Sequence, residues 1–131
     1  MADIVLALKP KWLELILSGK KTAEVRRTLP ARLEPGDKVY FYCKGDIHGF
    51  AFVEDVYHVV DYITKRQYAY WCAEHACLTE QEILNYWNYG YNGRFATSPG
   101  VILLQDVQRY EDPHPWRGST PQNFIYYHDN N

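Results

Sequence analysis

The chain has 131 residues, 47% hydrophobic and 23% charged, with a net charge of −2. That length suits one domain, residues 1–131, with its own core, and the near-neutral charge excludes a salt-driven nucleic-acid coat. No stretch approaches the roughly 20 apolar residues that cross a bilayer. The first 44 residues hold nine Lys/Arg against five Asp/Glu, a balance of +4, while residues 45–131 hold five against eleven, a balance of −6. A local anionic ligand near the first part fits that asymmetry.

Asp3–Leu8 is a short apolar run typical of a buried strand. Pro10 suits the first turn of a helix, Leu13, Ile16 and Leu17 recur at helical spacing, and Gly19 supplies the stop. Thr22–Arg27 reads as a strand. On it Thr22, Glu24 and Arg26 share one face, and Lys21, Ala23 and Val25 take the other. Pro35-Gly36-Asp37 marks a turn before a strand at Lys38–Cys43, and Gly49–Val60 reads as a longer strand, bent or bulged near Glu54-Asp55.

The middle switches to helical period. Residues 64–76 form one helix, and Thr79 with Glu82 makes a capping box for a second, carrying Ile83, Leu84 and Trp87 on one side. Gly90-Tyr91-Asn92-Gly93 breaks it, Gly100–Tyr110 is a strong strand, and the Pro-containing stretch from Asp112 reads as an irregular tail. The order β-α-β-β-β-α-α-β, with strands that do not alternate with helices, predicts an α+β fold or a small barrel.

Three cysteines, Cys43, Cys72 and Cys77, fit no even disulfide framework, and Lys9-Pro10 cuts the apolar run after Met1, so a reduced, cytoplasmic protein is expected. Cys72, His75 and Cys77 lie close in sequence, but no second ligand pair accompanies them, and neither a metal nor a cofactor is expected. The twelve tyrosines and four tryptophans are expected mostly as half-buried sheet residues. They also leave room for a contact between copies of the chain.

The candidate chemistry concentrates at Lys21, Thr22, Glu24 and Arg26. A lysine partly desolvated at the mouth of a pocket falls in pKa and can serve as a base, or it can clamp an anion when a carboxylate keeps it charged. Arg26 can grip a phosphate or carboxylate with two prongs. Glu74, on the 64–76 helix, is by default a solvated helix residue.

These residues resemble a known family, the activating-signal-cointegrator homology (ASCH) domain, whose hallmark is G-x-K-x-x-E-x-R after the first helix. Gly19, Lys21, Glu24 and Arg26 match its four fixed positions. Leu8-Lys9-Pro10-Lys11, Leu17-Ser18-Gly19-Lys20-Lys21-Thr22, Pro35-Gly36-Asp37, Thr79-Glu80-Gln81-Glu82, Tyr110-Glu111-Asp112-Pro113 and Pro121-Gln122-Asn123-Phe124 extend the likeness to nearly the whole chain, in the manner of stand-alone prokaryotic and viral members.

The resemblance implies a PUA-like fold, a small, mostly antiparallel β-barrel with flanking helices and a cleft lined by the motif. It implies RNA or a modified nucleoside as partner, with Lys9, Lys21, Thr22, Glu24 and Arg26 as ligand-binding residues. Some relatives are enzymes. One branch hydrolyses N-acetylated cytidine with a lysine, a threonine nucleophile and a glutamate, and another relative is described as a ribonuclease. Carried over to this chain, the catalytic set would be Lys21, Glu24 and Glu74. The slot of the nucleophilic threonine holds Glu24, a poor stand-in for an activated hydroxyl.

Overall fold

A computed structural model describes residues 2–59, 62–88 and 99–127 of the chain. The expected break at Gly90–Gly93 and the end of the chain from His128 lie outside the described residues. Among the described residues six strands and three helices follow one another: β1 (Ile4–Ala7), α1 (Pro10–Leu17), β2 (Ala23–Arg26), β3 (Lys38–Cys43), β4 (Asp46–His58), α2 (Tyr62–Ala76), α3 (Glu80–Asn88), β5 (Gly100–Pro115) and β6 (Phe124–Tyr126).

The strands form one sheet in the order β2-β5-β4-β3-β1-β6. Among the described strands only β1 and β3 run parallel; β2/β5, β3/β4, β4/β5 and β1/β6 are antiparallel. Three register shifts bend the long β4/β5 ribbon, one between Val53 and Asp55, where the sequence predicted it. Such bulges increase local twist and curl a sheet. The result is a half-barrel with helices packed against it, the α+β, PUA-like architecture expected.

Two cores follow from the alternation of the strands. Ile4, Leu6, Val39, Phe41, Ala51, Val53, Ile102 and Leu104 fill the inside of the curl, together with Leu13 and Ile16 of α1. Ala23, Val25 and Val101 face the other way, onto Ala69, Cys72 and Ala76 of α2 and Ile83 and Trp87 of α3. Ala23 and Val25 therefore stand on the helix-covered side of β2, as a strand of period two requires.

The local stops are those the sequence announces. Gly19 takes φ +82° after the Ser18 cap of α1, the left-handed conformation glycine adopts without penalty. Thr79 and Glu82 exchange hydrogen bonds at the start of α3: Thr79 N donates to Glu82 Oε1 at 3.0 Å, and Glu82 N donates to Thr79 Oγ1 at 3.1 Å. These bonds hold the Glu82 carboxyl below its ordinary pKa.

Two expectations need correction. The stretch after Tyr110 is not irregular: β5 continues to Pro115, paired with Asp46 at the base of β4. Pro113 and Pro115 are tolerated at such an end, where a missing N–H costs least. The segment Phe124–Tyr126, expected as irregular chain, is a sixth strand against β1. Most described tyrosines are half-buried on the sheet, as anticipated; Tyr40 stacks on Tyr127 with ring centroids 4.4 Å apart.

Candidate functional site

The curl brings the two margins of the sheet toward each other without joining them by strand pairing, and a cleft opens along that seam. β2 is one edge strand, and β1 lies beside the other. Arg26 bridges them: Nη2 donates to the Ala7 carbonyl at 2.9 Å, and Nη1 to Asn123 Oδ1 at 2.6 Å. Asn123 in turn donates from Nδ2 to the Thr28 carbonyl at 3.3 Å, and its own carbonyl accepts from Ala7 N at 2.9 Å. One planar guanidinium with a fixed fork suits this closure better than a flexible ammonium would.

The cleft has a volume of about 510 Å³, within the roughly 300–1,000 Å³ of small-molecule sites. Lys21, Glu24 and Arg26 line it from the motif, Lys9 and Trp12 from the start of α1, Tyr42 and Lys44 from the end of β3, and Glu82 and Tyr86 from α3.

Lys21 is 1% exposed and Glu24 6%, so both sit at the base of the cleft. Lys21 Nζ donates to the carbonyl of Ala76, in the last turn of α2, and stands 5.0 Å from the centre of the Trp12 ring. A helix C-terminus presents unpaired carbonyls and partial negative charge, a natural partner for a buried ammonium. The last turn of α2 is itself fixed by Cys77 in the left-handed region (φ 57°), with Cys77 N donating to Glu74 O and Leu78 N to Ala73 O. Burial is the main cause that lowers the Lys21 pKa from its ordinary 10.5; Glu24 opposes the shift, and Arg26 adds to it.

Glu24 lies between two cations, with Oε1 3.9 Å from Lys21 Nζ and Oε2 3.6 Å from Arg26 Nη2. Both separations exceed hydrogen-bond length, and Oε2 is buried without a hydrogen-bond partner. A carboxylate normally fills its acceptor sites, so this one keeps unused accepting capacity at the base of the cleft. Lys21 and Glu24, assigned to opposite faces by strand alternation, meet because Lys21 precedes β2, where that alternation does not apply.

The remaining predicted residues separate from this group. Thr22 is not part of the cleft wall; its Oγ1 lies 3.3 Å from His75 Nδ1, and its amide donates to the His75 carbonyl. Glu74 is exposed on α2, away from the cleft. Cys72 is buried, its thiol pushed up to about 11 by burial, while Cys77 Sγ contacts the Lys20 carbonyl. Among the described residues no three His, Cys, Asp or Glu side chains group as a metal ion would need, and no helix is long and apolar enough to cross a membrane.

Sequence reasoning missed Trp12, Tyr42, Lys44, Glu82, Tyr86 and Asn123, which reach the seam from four separate segments. Two of them left a signal in the sequence. Trp12 follows Lys9-Pro10-Lys11 at a helix start, and Lys44-Gly45 stands in a hairpin position where Asn-Gly is usual.

The chain matches the family model described as the ASCH domain over residues 6–114. No curated protein matches it. Among solved structures it is similar to the crystal structure of ASCH from Zymomonas mobilis, with 22% identity and a TM-score of 0.75 over 95% of this chain and 87% of that one. A mutant of the same Zymomonas mobilis protein gives 23% identity and a TM-score of 0.74, with the same coverage. The crystal structure of hypothetical protein PH0355 gives 19% identity and a TM-score of 0.58, covering 81% of this chain and 97% of that one. At these identities the structural likeness speaks for the fold, and the family match spans most of the sequence: the chain belongs to the ASCH domain family.

Proposed function

We propose that the seam cleft binds a nucleobase, presented by RNA or by a modified nucleoside, and that this chain acts as a binding module. The observation that carries the reading is Glu24: a buried carboxylate with an unused acceptor, held between Lys21 and Arg26 at the base of a cleft walled by Trp12 and Tyr86. A base edge offers N–H donors for the carboxylate beside carbonyl or ring-nitrogen acceptors for the ammonium, and its flat face suits an indole or phenol ring. Arg26 has a positioning role, because both its terminal nitrogens are engaged by Ala7 and Asn123.

Amide hydrolysis on an acetylated nucleoside is less well supported. The slot of the nucleophile is Glu24, Thr22 is turned to His75, and Glu74 stands away from the cleft. A lysine of lowered pKa could still act as a base, so the test includes turnover.

Calorimetric titration with the four ribonucleosides, N-acetylcytidine and a short single-stranded RNA measures the binding. Saturable binding to wild type, weakened at least tenfold in folded Lys21→Met and Glu24→Gln variants, is the expected result. Binding unaffected by either substitution overturns the reading. Release of acetate from N-acetylcytidine, abolished by Lys21→Ala, replaces the binding module by an enzyme.

A further inference from the structure

Two lysines on the rim of the cleft occupy positions that local physics disfavours. Lys9 is the N-cap of α1, where Ser, Thr, Asp or Asn normally accepts a hydrogen bond from the first turn; here there is no side-chain cap, and the first turn holds no acidic residue. An ammonium there also meets the positive end of the helix dipole. Lys44 has φ 51° and is followed by Gly45 at φ 91°. The pair forms a two-residue turn between Cys43 and Asp46, which face each other at the end of the β3/β4 ladder. Positive φ at both central residues calls for Asn-Gly or Gly-Gly, not a lysine.

The topology sets these two residues at the same end of adjacent strands. β1 and β3 are parallel neighbours whose last paired residues are Ala7 and Tyr42. Lys9 and Lys44 each lie two residues further on, at the same end of adjacent strands, and both line the cleft. Both are exposed, whereas Lys21 and Glu24 are buried, which puts the first pair at the mouth and the second at the base. Among the described residues neither Lys9 nor Lys44 takes part in a salt bridge. Glu82, which also lines the cleft, accepts the Thr79 amide through Oε1 in the capping box. Two unpaired cations brought together at strand ends repel each other unless an anion lies between them.

We infer that Lys9 and Lys44 form a phosphate subsite at the mouth of the cleft, so that its ligand is a nucleotide, free or within an RNA strand, and not a bare nucleoside. The inference rests on the base-binding reading of the same cleft. The base would enter toward Glu24 and Lys21, and the phosphate attached to its ribose would stay at the rim. Lysine suits that place: it is a mobile point charge that follows a phosphate without demanding one orientation.

The test compares cytidine, uridine, adenosine and guanosine with their 5′-monophosphates, with ribose 5-phosphate and with a hexaribonucleotide. It uses wild type, Lys9→Gln, Lys44→Asn and the double variant. Asn is the residue the turn prefers, so the second substitution leaves the hairpin able to fold. At least one 5′-monophosphate or the hexanucleotide is expected to bind tenfold or more tightly than the matching nucleoside. The double variant should erase that gap, lowering nucleotide affinity at least tenfold more than nucleoside affinity. Each lysine removed should lower the log–log salt slope of RNA binding by about 1.

A gain confined to the hexanucleotide assigns the phosphate to a strand; a gain already present with mononucleotides assigns it to a free nucleotide. Equal affinity for nucleoside, mononucleotide and RNA overturns the subsite and leaves base binding standing. An equal loss of nucleoside and nucleotide binding in the variants also overturns it, because the lysines would then shape the cleft as a whole. Ribose 5-phosphate held through Lys9 and Lys44, with no preference for any base-bearing ligand, supports the subsite and removes the base reading. Binding of none of these probes overturns both.

Discussion

Lys21 Nζ donates to the main-chain carbonyl of Ala76, so the C-terminal turn of α2 holds the ammonium at the base of the seam cleft. The contact ties the segment leading into β2 to a helix end 55 residues further along the chain, and it gives a buried cation a partner that cannot titrate. Burial nevertheless lowers the Lys21 pKa below 10.5, which has a measurable consequence.

Between that lowered pKa and the ordinary 10.5 of an unfolded lysine, the unfolded chain holds a proton that the folded chain has lost. Stability contributed through this group therefore rises with pH across the window. Buried Cys72, raised from 9.0 to about 11, works in the opposite sense, because the unfolded thiol ionises first. Urea unfolding of wild type and Lys21→Met from pH 8 to pH 10.5 separates the two effects. The difference between the proteins is expected to shift steadily in favour of wild type as pH rises. A difference independent of pH would mean that Lys21 titrates as an exposed lysine.

Glu24 and Lys21 are expected to be energetically coupled through the low-dielectric base of the cleft. Lys21→Met leaves the carboxylate with Arg26 alone, and Glu24→Gln leaves buried Lys21 and half-buried Arg26 without the carboxylate between them. Each single substitution should destabilise more than its share of the double variant, with an interaction energy of about 1–3 kcal/mol from a double-mutant cycle. Additive effects would indicate that the pair is screened by solvent.

Arg26→Lys tests the closure of the seam. Lysine keeps the charge but cannot reach the Ala7 carbonyl and Asn123 Oδ1 together, and those bonds hold two margins of one sheet. A loss of about 1.5–3 kcal/mol is expected in chemical denaturation, the scale of hydrogen bonds to a charged group. Amide exchange should speed up most at Ala7, which is bonded to the Asn123 carbonyl.

Lys44→Asn should stabilise the fold. A non-glycine residue at φ 51° is strained, and Asn tolerates that conformation better, so a gain of roughly 0.5–1 kcal/mol is expected in thermal or urea unfolding. Residues that a fold retains against its own stability mark functional sites. A loss of stability would show that the Lys44 side chain supports the hairpin itself.

Most of the architecture was legible because it is local. A short apolar run marked β1, alternation marked β2, a Pro-Gly-Asp turn announced β3, period 3.6 marked α1, Gly19 and Pro10 bounded that helix, and Thr79 with Glu82 announced α3. The misses were non-local. β6 is three residues long and exists only because β1 offers an edge to pair with, and the far end of β5 is held by the base of β4. The site divided along the same line. Lys21, Glu24 and Arg26 could be named from one stretch of sequence, whereas Trp12, Lys44, Tyr86 and Asn123 join them only through the curl of the sheet. Glu74 entered the catalytic set only through the family resemblance, and it is exposed on its helix, as its local sequence suggested.

The most direct measurement is a crystal structure of the chain with the tightest-binding nucleotide or RNA. The account predicts a base ring in the seam cleft against Trp12 or Tyr86, with an N–H group on Glu24 and an acceptor on Lys21. A ligand seated elsewhere, for instance in the concavity bordered by Tyr40, Tyr110, Trp116 and Tyr127, would contradict it.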